Sequence, residues 1–365
     1  MKKLLLLSAI LIFACSSDDS SNDNDNNNNP SNCDVVYLDD NGVTIKACDD
    51  ALVGQSGVVN GISYTIVSGE MLRNLVNNGD DITRVCTSRI VNMSRLFYEN
   101  NTFNFPLNNW DVSNVYNMSE MFRRTAVFNQ DLSDWDVSNV TDMRYMFDRS
   151  EFNQPIGDWD VSNVTNMSYM FYSNFTKFNQ PIGDWDVSSV TDMRYMFSEN
   201  TSFNQPIGDW DVSSVTDMRF MFSENTSFNQ DISNWVVSSV TNMRGVFNGN
   251  TSFNQPIGTW DVSSVTNMGG MFASANSFNQ PIGDWDVSSV TNMSSMFSNS
   301  EFNQPIGDWD VSSVTYMSRM IAYNSAFNQD LNDWDVNNVT DCYEFSVYTP
   351  QWTLPQPNFT NCNPN

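Results

Sequence analysis

Tryptophan recurs at positions 110, 135, 159, 185, 210, 235, 260, 285, 309 and 334, at intervals of 24 to 26 residues. A fixed period of this length is the signature of stacked structural units, and it limits the architecture before any propensity is weighed. With each Trp as origin, Phe stands seven positions before it and Asn six before it in all ten units, from Phe103-Asn104 to Phe327-Asn328. Val stands two and five positions after it in all ten. Met stands eight after it in nine units, with Cys342 in the tenth. Three further on comes Met, Val246 or Phe345, followed by Phe in eight units and by Ile321 and Ser346 in the last two.

The unit "FNQPIGDWDVSSVTDMRYMF", residues 178–197, illustrates the local expectation. Trp185 and Val187 alternate with Asp184, Asp186 and Ser188, which predicts a short strand with one buried face. Val190, Met193, Met196 and Phe197 fall on one face of a helical turn, with Thr191 as its N-cap and Asp192 at its N-terminus. Pro and Gly of "QPIGD" supply a corner. A unit this small cannot bury its own Trp, Met and Phe, whereas stacked units share a continuous core. Paired at ~4.8 Å, ten coils extend ~50 Å. Eighteen of the 20 methionines fall in the expected helical turns, where they suit gap filling between coils rather than a metal or heme site.

The ends depart from the pattern. Residues 92–97, "NMSRLF", read as half a unit, with Val85 where Trp would be. Residues 82–346 form the repeat array, and 347–365 read as a C-terminal cap protecting its edge. Residues 33–81 read as a β-rich module, with Asn41-Gly42 and Asn60-Gly61 at hairpin turns and "SGEMLRNLVNN" as a short helix carrying Met71, Leu72, Leu75 and Val76. Cys33 with Cys48 and Cys342 with Cys362 are plausible disulfides by proximity, leaving Cys86 over, although sequence does not fix connectivity.

Residues 1–15 carry Lys2 and Lys3, an apolar run at 4–13 and Ala14-Cys15, the plan of a secretory leader. The run is short of the ~20 residues that span a bilayer. Residues 16–32, rich in Asn, Asp and Ser, read as a solvated tether. The chain has 43 acidic and 16 basic residues, a formal charge of −27, and no histidine. Such acidity argues against a nucleic-acid partner, which needs a basic face. Without histidine there is no Ser-His pair, and no GxSxG or HExxH occurs, so an enzyme is not expected.

Three features of the repeat invite a chemical reading. Seven units read Asp-Trp-Asp, and the second Asp forms a column broken only at Val236. Calcium is the one cofactor this pattern admits, but capping of loop amides by solvated carboxylates is the favoured reading. The unbroken Asn column from Asn104 to Asn328 reads as a buried ladder bonding coil to coil, in preference to a glycan contact. Nine and ten positions after Trp the units diverge, reading Arg144-Tyr145, Ser168-Tyr169, Arg194-Tyr195, Arg219-Phe220 and Arg244-Gly245, then Gly269-Gly270 and Ser294-Ser295. Arg144, Tyr145, Tyr169, Arg194, Tyr195, Arg219, Phe220 and Arg244 are the candidate ligand-binding residues, because Arg and Tyr are enriched where proteins bind. The structural alternative pairs each Arg with the Asp two residues earlier, at Asp142, Asp192 and Asp217.

The unit "FNQPIGDWDVSSVTNMSSMF" resembles the repeat of the BspA-like leucine-rich-repeat surface proteins, in the variant also known as a domain of unknown function in mycoplasma lipoproteins. "IFAC" resembles a lipobox, with Cys15 as the lipidated residue, and "CSSDD" is similar to the surface-export signal of lipoproteins in the Bacteroidetes. The segment "YLDDNGVTIKACDDALVGQSGVVNGISYTIVS" is similar to one found ahead of these repeats in flavobacterial members. The resemblance implies an α/β solenoid of leucine-rich-repeat type with about ten coils, a parallel β-helix being the structural alternative. It implies an exported outer-membrane lipoprotein, exposed on the cell surface and membrane-attached only by its lipid. The function implied is adhesion to an extracellular protein or to other cells, with glycan capture or a structural spacer as alternatives.

Overall fold

The computed structural model describes residues 33–173 and 177–364. The expected leader with Cys15 and the expected tether at 16–32 lie outside the described residues. Strands β1 (Val36–Leu38) and β2 (Ile45–Ala47) pair antiparallel. The Asn41 side chain accepts from the amides of Val43 and Thr44 across their turn. Strands β3 (Ser56–Val59) and β4 (Ile62–Ile66) pair antiparallel around Asn60 and Gly61, whose φ values of 51° and 79° match a type I′ turn. Helix α1 (Gly69–Asn78) is capped by Ser68, whose side chain accepts from the Met71 amide, and ends at left-handed Gly79. Leu72 is buried beneath it, and Leu75 and Val76 pack on the core, while Met71 faces outward.

The N-terminal module is continuous with the coils. Strand β5 (Val85–Cys86) runs parallel to β4, and the Ile45 amide donates to the Asn109 carbonyl. Cys86 is buried at this junction, where burial pushes its thiol up. Ser88 there accepts from the Ala47 amide and donates to buried Asp111.

The coils differ locally from the sequence expectation. In residues 178–203 neither the "WDVS" strand nor a helix at 190–197 forms. The chain turns at 183–184 and 188–189, makes a single parallel bridge at Asp192, and then runs through consecutive turns from 194 to 199. The amides of Met193, Tyr195, Phe197 and Glu199 donate to the following coil, at the carbonyls of Asp217, Arg219, Met221 and Ser223. The amides of Met196, Ser198 and Asn200 close turns onto the carbonyls three residues back. A helix would send each of these amides four residues back, so sharing them with a neighbour excludes it. Thr191 is not an N-cap: its hydroxyl donates to the Thr165 carbonyl of the preceding coil. The capping oxygen belongs to Asp192, which accepts from the Arg194 amide.

The core is a set of columns. Trp185, Val187, Val190, Met193, Met196, Phe197 and Phe203 are each 0–3% exposed. Phe197 lies 3.8 Å from Phe203 and 5.8 Å from both Phe171 and Phe222, ring centroid to centroid. The Trp185 indole donates to the Ile156 carbonyl of the preceding coil at 3.0 Å, which satisfies its buried N–H. Ile156, Ile182 and Ile207 form a further buried column three positions before Trp, inside what the sequence presents as a corner. Its signal was available, since only Ile or Leu occupies that position in the ten units. A Cβ on Gly183 would lie 2.7 Å from the Pro206 oxygen, so glycine eases the close approach of coils at this corner, where Asn108, Ser133, Ser233 and Asn332 stand in other units.

At the far end Cys342 is bonded to Cys362, and at the near end Cys33 to Cys48. Trp352 lies edge-on to Phe327 at 4.9 Å and donates to the Gln329 carbonyl, covering the last coil.

Candidate functional site

The ten positions after Trp lead to a backbone that turns left-handed in every coil. Tyr145, Tyr169, Tyr195 and Phe220 have φ of 57°, 58°, 56° and 56°. Glycine is the cheap residue for such a turn, and the chain uses it at Gly245 and Gly270. The four aromatic residues are half-buried and stack as a ladder. Centroid separations are 4.3 Å for Tyr145–Tyr169, 4.4 Å for Tyr169–Tyr195 and 4.8 Å for Tyr195–Phe220. Burial, followed by its tyrosine neighbours, pushes the Tyr169 phenol well up. Arg123 lies 4.4 Å over Tyr145 at one end, and Arg244 lies 5.5 Å from Phe220 at the other.

The arginines beside the ladder are mostly compensated. Arg144, Arg194 and Arg219 approach Asp142, Asp192 and Asp217 at 3.3, 3.1 and 2.7 Å. The stripe is therefore aromatic with paired charges rather than cationic. Arg244 differs, because Asn242 replaces the aspartate, and it pairs with no carboxylate among the described residues. Sequence reading missed the flank built by residues thirteen and fourteen positions after Trp. Arg123 donates to buried Asp148 at 2.7 Å and to Glu120 at 2.9 Å, and Tyr172 packs edge-on against Tyr169 and donates to Glu199. Burial raises the Asp148 carboxyl while Arg123 opposes the rise. Variation at those two positions, read in the same way as at nine and ten, would have flagged them. Beside this flank a recess of about 530 Å³ is lined by Glu99, Asn101, Arg124, Ala126, Arg149 and Glu151.

Of the two polar columns, the Asp column closes turns within each coil and the Asn column joins one coil to the next. Asp136, Asp160, Asp186, Asp211, Asp261, Asp286 and Asp310 each accept from the amide of the serine two residues on. Hydrogen bonds from serine hydroxyls and amides hold Asp160, Asp211, Asp261 and Asp310 below the ordinary 3.8. Depressed folded values stabilise above the unfolded value and lose that contribution as pH falls through the folded one. The denaturation midpoint of the chain is expected to fall with acidification from 3.8 downward. Joint Asp→Asn changes at these four positions should flatten that slope, because Asn keeps the acceptor without titrating; an unchanged slope would refute the assignment. Each Asn of the other column accepts from the next coil, as Asn179 does from the Asn204 amide at 3.0 Å and the Gln205 side chain at 3.0 Å. The column is half-buried to exposed rather than buried, because it closes the outer edge of a bend.

A family model described as "Mycoplasma protein of unknown function, DUF285" matches residues 68–174, 149–256, 229–302 and 282–353. No curated protein matches the chain, and no solved structure does. The matched segments overlap and run from position 68 to 353 of 365, the span over which the coils stack. The chain belongs to this tandem-repeat family of unknown function.

Proposed function

We propose that the chain is a surface-displayed lipoprotein, anchored through Cys15, whose coils form a solenoid that binds an extracellular protein or another cell through the ladder face. On this reading it is a non-enzymatic binding protein, related to the BspA-like and flavobacterial surface lipoproteins by its repeat, leader and N-terminal segment. It is exported to the outer membrane, uses no cofactor and has no nucleic-acid partner.

The observation that carries the binding role is the retention of bulky side chains at left-handed positions. A non-glycine residue there costs about 1–2 kcal/mol. Each stacked aromatic pair returns about 0.5–1.5 kcal/mol. The terms are of similar size, so the ladder adds little net stability; the left-handed turn recurs in every coil, and what sets these four coils apart is the aromatic ring placed on it. Half-exposed Tyr edges beside ordered Arg-Asp pairs are a surface suited to a protein partner.

Two measurements test this. Whole cells should incorporate labelled fatty acid into the chain, and Cys15→Ser should abolish incorporation; labelling that survives would remove the anchor. The full chain should bind within a panel of matrix proteins and bacterial cells, and joint Tyr145→Ser, Tyr169→Ser, Tyr195→Ser and Phe220→Ser changes should weaken that binding about tenfold or more. Unchanged binding would place the contact elsewhere.

A further inference from the structure

The ladder ends at Phe220 although the coils continue. The next three positions of its column are Gly245, Gly270 and Ser295. A Cβ on Gly245 would lie 2.4 Å from Phe220 Cε1, so that ring leans over the glycine and forms a wall. A Cβ on Gly270 would meet only Asn248 Nδ2, at 3.7 Å, so the place held by a tyrosine ring in earlier coils is open. The result is a recess of about 400 Å³ whose lining includes Phe220, Arg244, Asn248, Gly270, Asn292 and Ser295. That volume falls in the range of small-molecule sites.

Its charge is as distinctive as its shape. In a chain of formal charge −27, exposed Arg244 lines the recess without a carboxylate partner among the described residues. The aspartate that compensates Arg194 and Arg219 is replaced here by Asn242, and Asn267 and Asn292 continue the neutral column.

We propose that this recess binds a carboxylate-bearing sugar ring, as the acidic unit of a polysaccharide. The Arg244 guanidinium takes the carboxylate through paired N–H donors. The amides of Asn248 and Asn292 and the Ser295 hydroxyl both donate to and accept from ring hydroxyls. The glycine floor leaves room for the C–H face of the sugar ring to pack beside Phe220, where the ladder ends. One guanidinium balances a monoanion and leaves a phosphate dianion undercompensated, and an amino-acid carboxylate brings no ring hydroxyls for the amides. This site does not depend on the protein-binding role of the ladder.

Calorimetric titration of the full chain with uronic-acid oligosaccharides, neutral hexose oligosaccharides of equal length, inorganic phosphate and glutamate tests the assignment. The acidic oligosaccharide should bind at least about tenfold more tightly than the others, and Arg244→Gln should remove that advantage. Gly270→Tyr, at a φ of 65° like that tolerated by Tyr195, should fill the recess and abolish binding. Joint Tyr145→Ser and Tyr169→Ser should leave sugar binding intact, separating this site from the ladder. The proposal is overturned if no acidic oligosaccharide binds, if phosphate or glutamate binds as well, or if Arg244→Gln binds like the parent chain.

Discussion

Phe197→Ala is expected to destabilise the chain by about 3–5 kcal/mol, the cost of truncating a fully buried aromatic residue. Phe197 is 0% exposed and touches Phe171 of the preceding unit and Phe203 and Phe222 of the following one, so the cavity opens against three units at once. In a stack, each unit is stabilised mainly by its interfaces with the next. The loss should therefore appear as a lower denaturant midpoint together with faster amide exchange concentrated in the coils around 171–222. Tyr195→Gly, two residues away in sequence, removes a half-exposed ring and relieves a left-handed φ, and should change stability far less. A Phe197→Ala cost below about 1 kcal/mol would mean that the coils do not share a core.

Joint Cys342→Ser and Cys362→Ser changes rank second. The bridge closes a separation of 20 residues, for which the chain-entropy account gives roughly 3 kcal/mol. Its effect is local in origin, because the bridged segment carries Trp352 and Phe359 onto the last coil, where Phe345 meets both at 6.1 and 4.9 Å. Without it the cap should fray and expose the end of the aromatic column. The expected readouts are loss of exchange protection at 327–352 before the central coils, and increased self-association through the uncovered edge. Equal protection in the oxidised parent and the variant would show that packing alone holds the cap.

The site was partly legible. Divergence at nine and ten positions after Trp pointed to Arg144, Tyr145, Tyr169, Arg194, Tyr195, Arg219, Phe220 and Arg244, and the structure brings the four rings among them into one stack. Their pairing was legible as the structural alternative, since Arg144, Arg194 and Arg219 do meet the aspartates two residues earlier, at Asp142, Asp192 and Asp217. The left-handed backbone beneath the rings had a faint signal in Gly245 and Gly270, which occupy the same column. Arg123, Asp148 and Tyr172 were invisible to a reading that followed one pair of columns, because they reach the ladder from an adjoining one.

The sequence by itself determined the period, the register and the inward columns. Each depends only on which residues recur, and a stack of like units buries what recurs as apolar. It also determined the hairpin turns at Asn41-Gly42 and Asn60-Gly61, where positive φ at Gly42, Asn60 and Gly61 and the Asn41 side-chain acceptor choose the residues. The tertiary structure decided whether residues 190–199 form a helix or a run of turns. Val190, Met193, Met196 and Phe197 point inward in either case, so side-chain spacing cannot distinguish them. The difference lies in the destination of the backbone amides, which is four residues back in a helix and the neighbouring coil here. That choice exists only once a second coil is in place, and the same choice creates the left-handed positions on which the ladder and its vacant continuation stand.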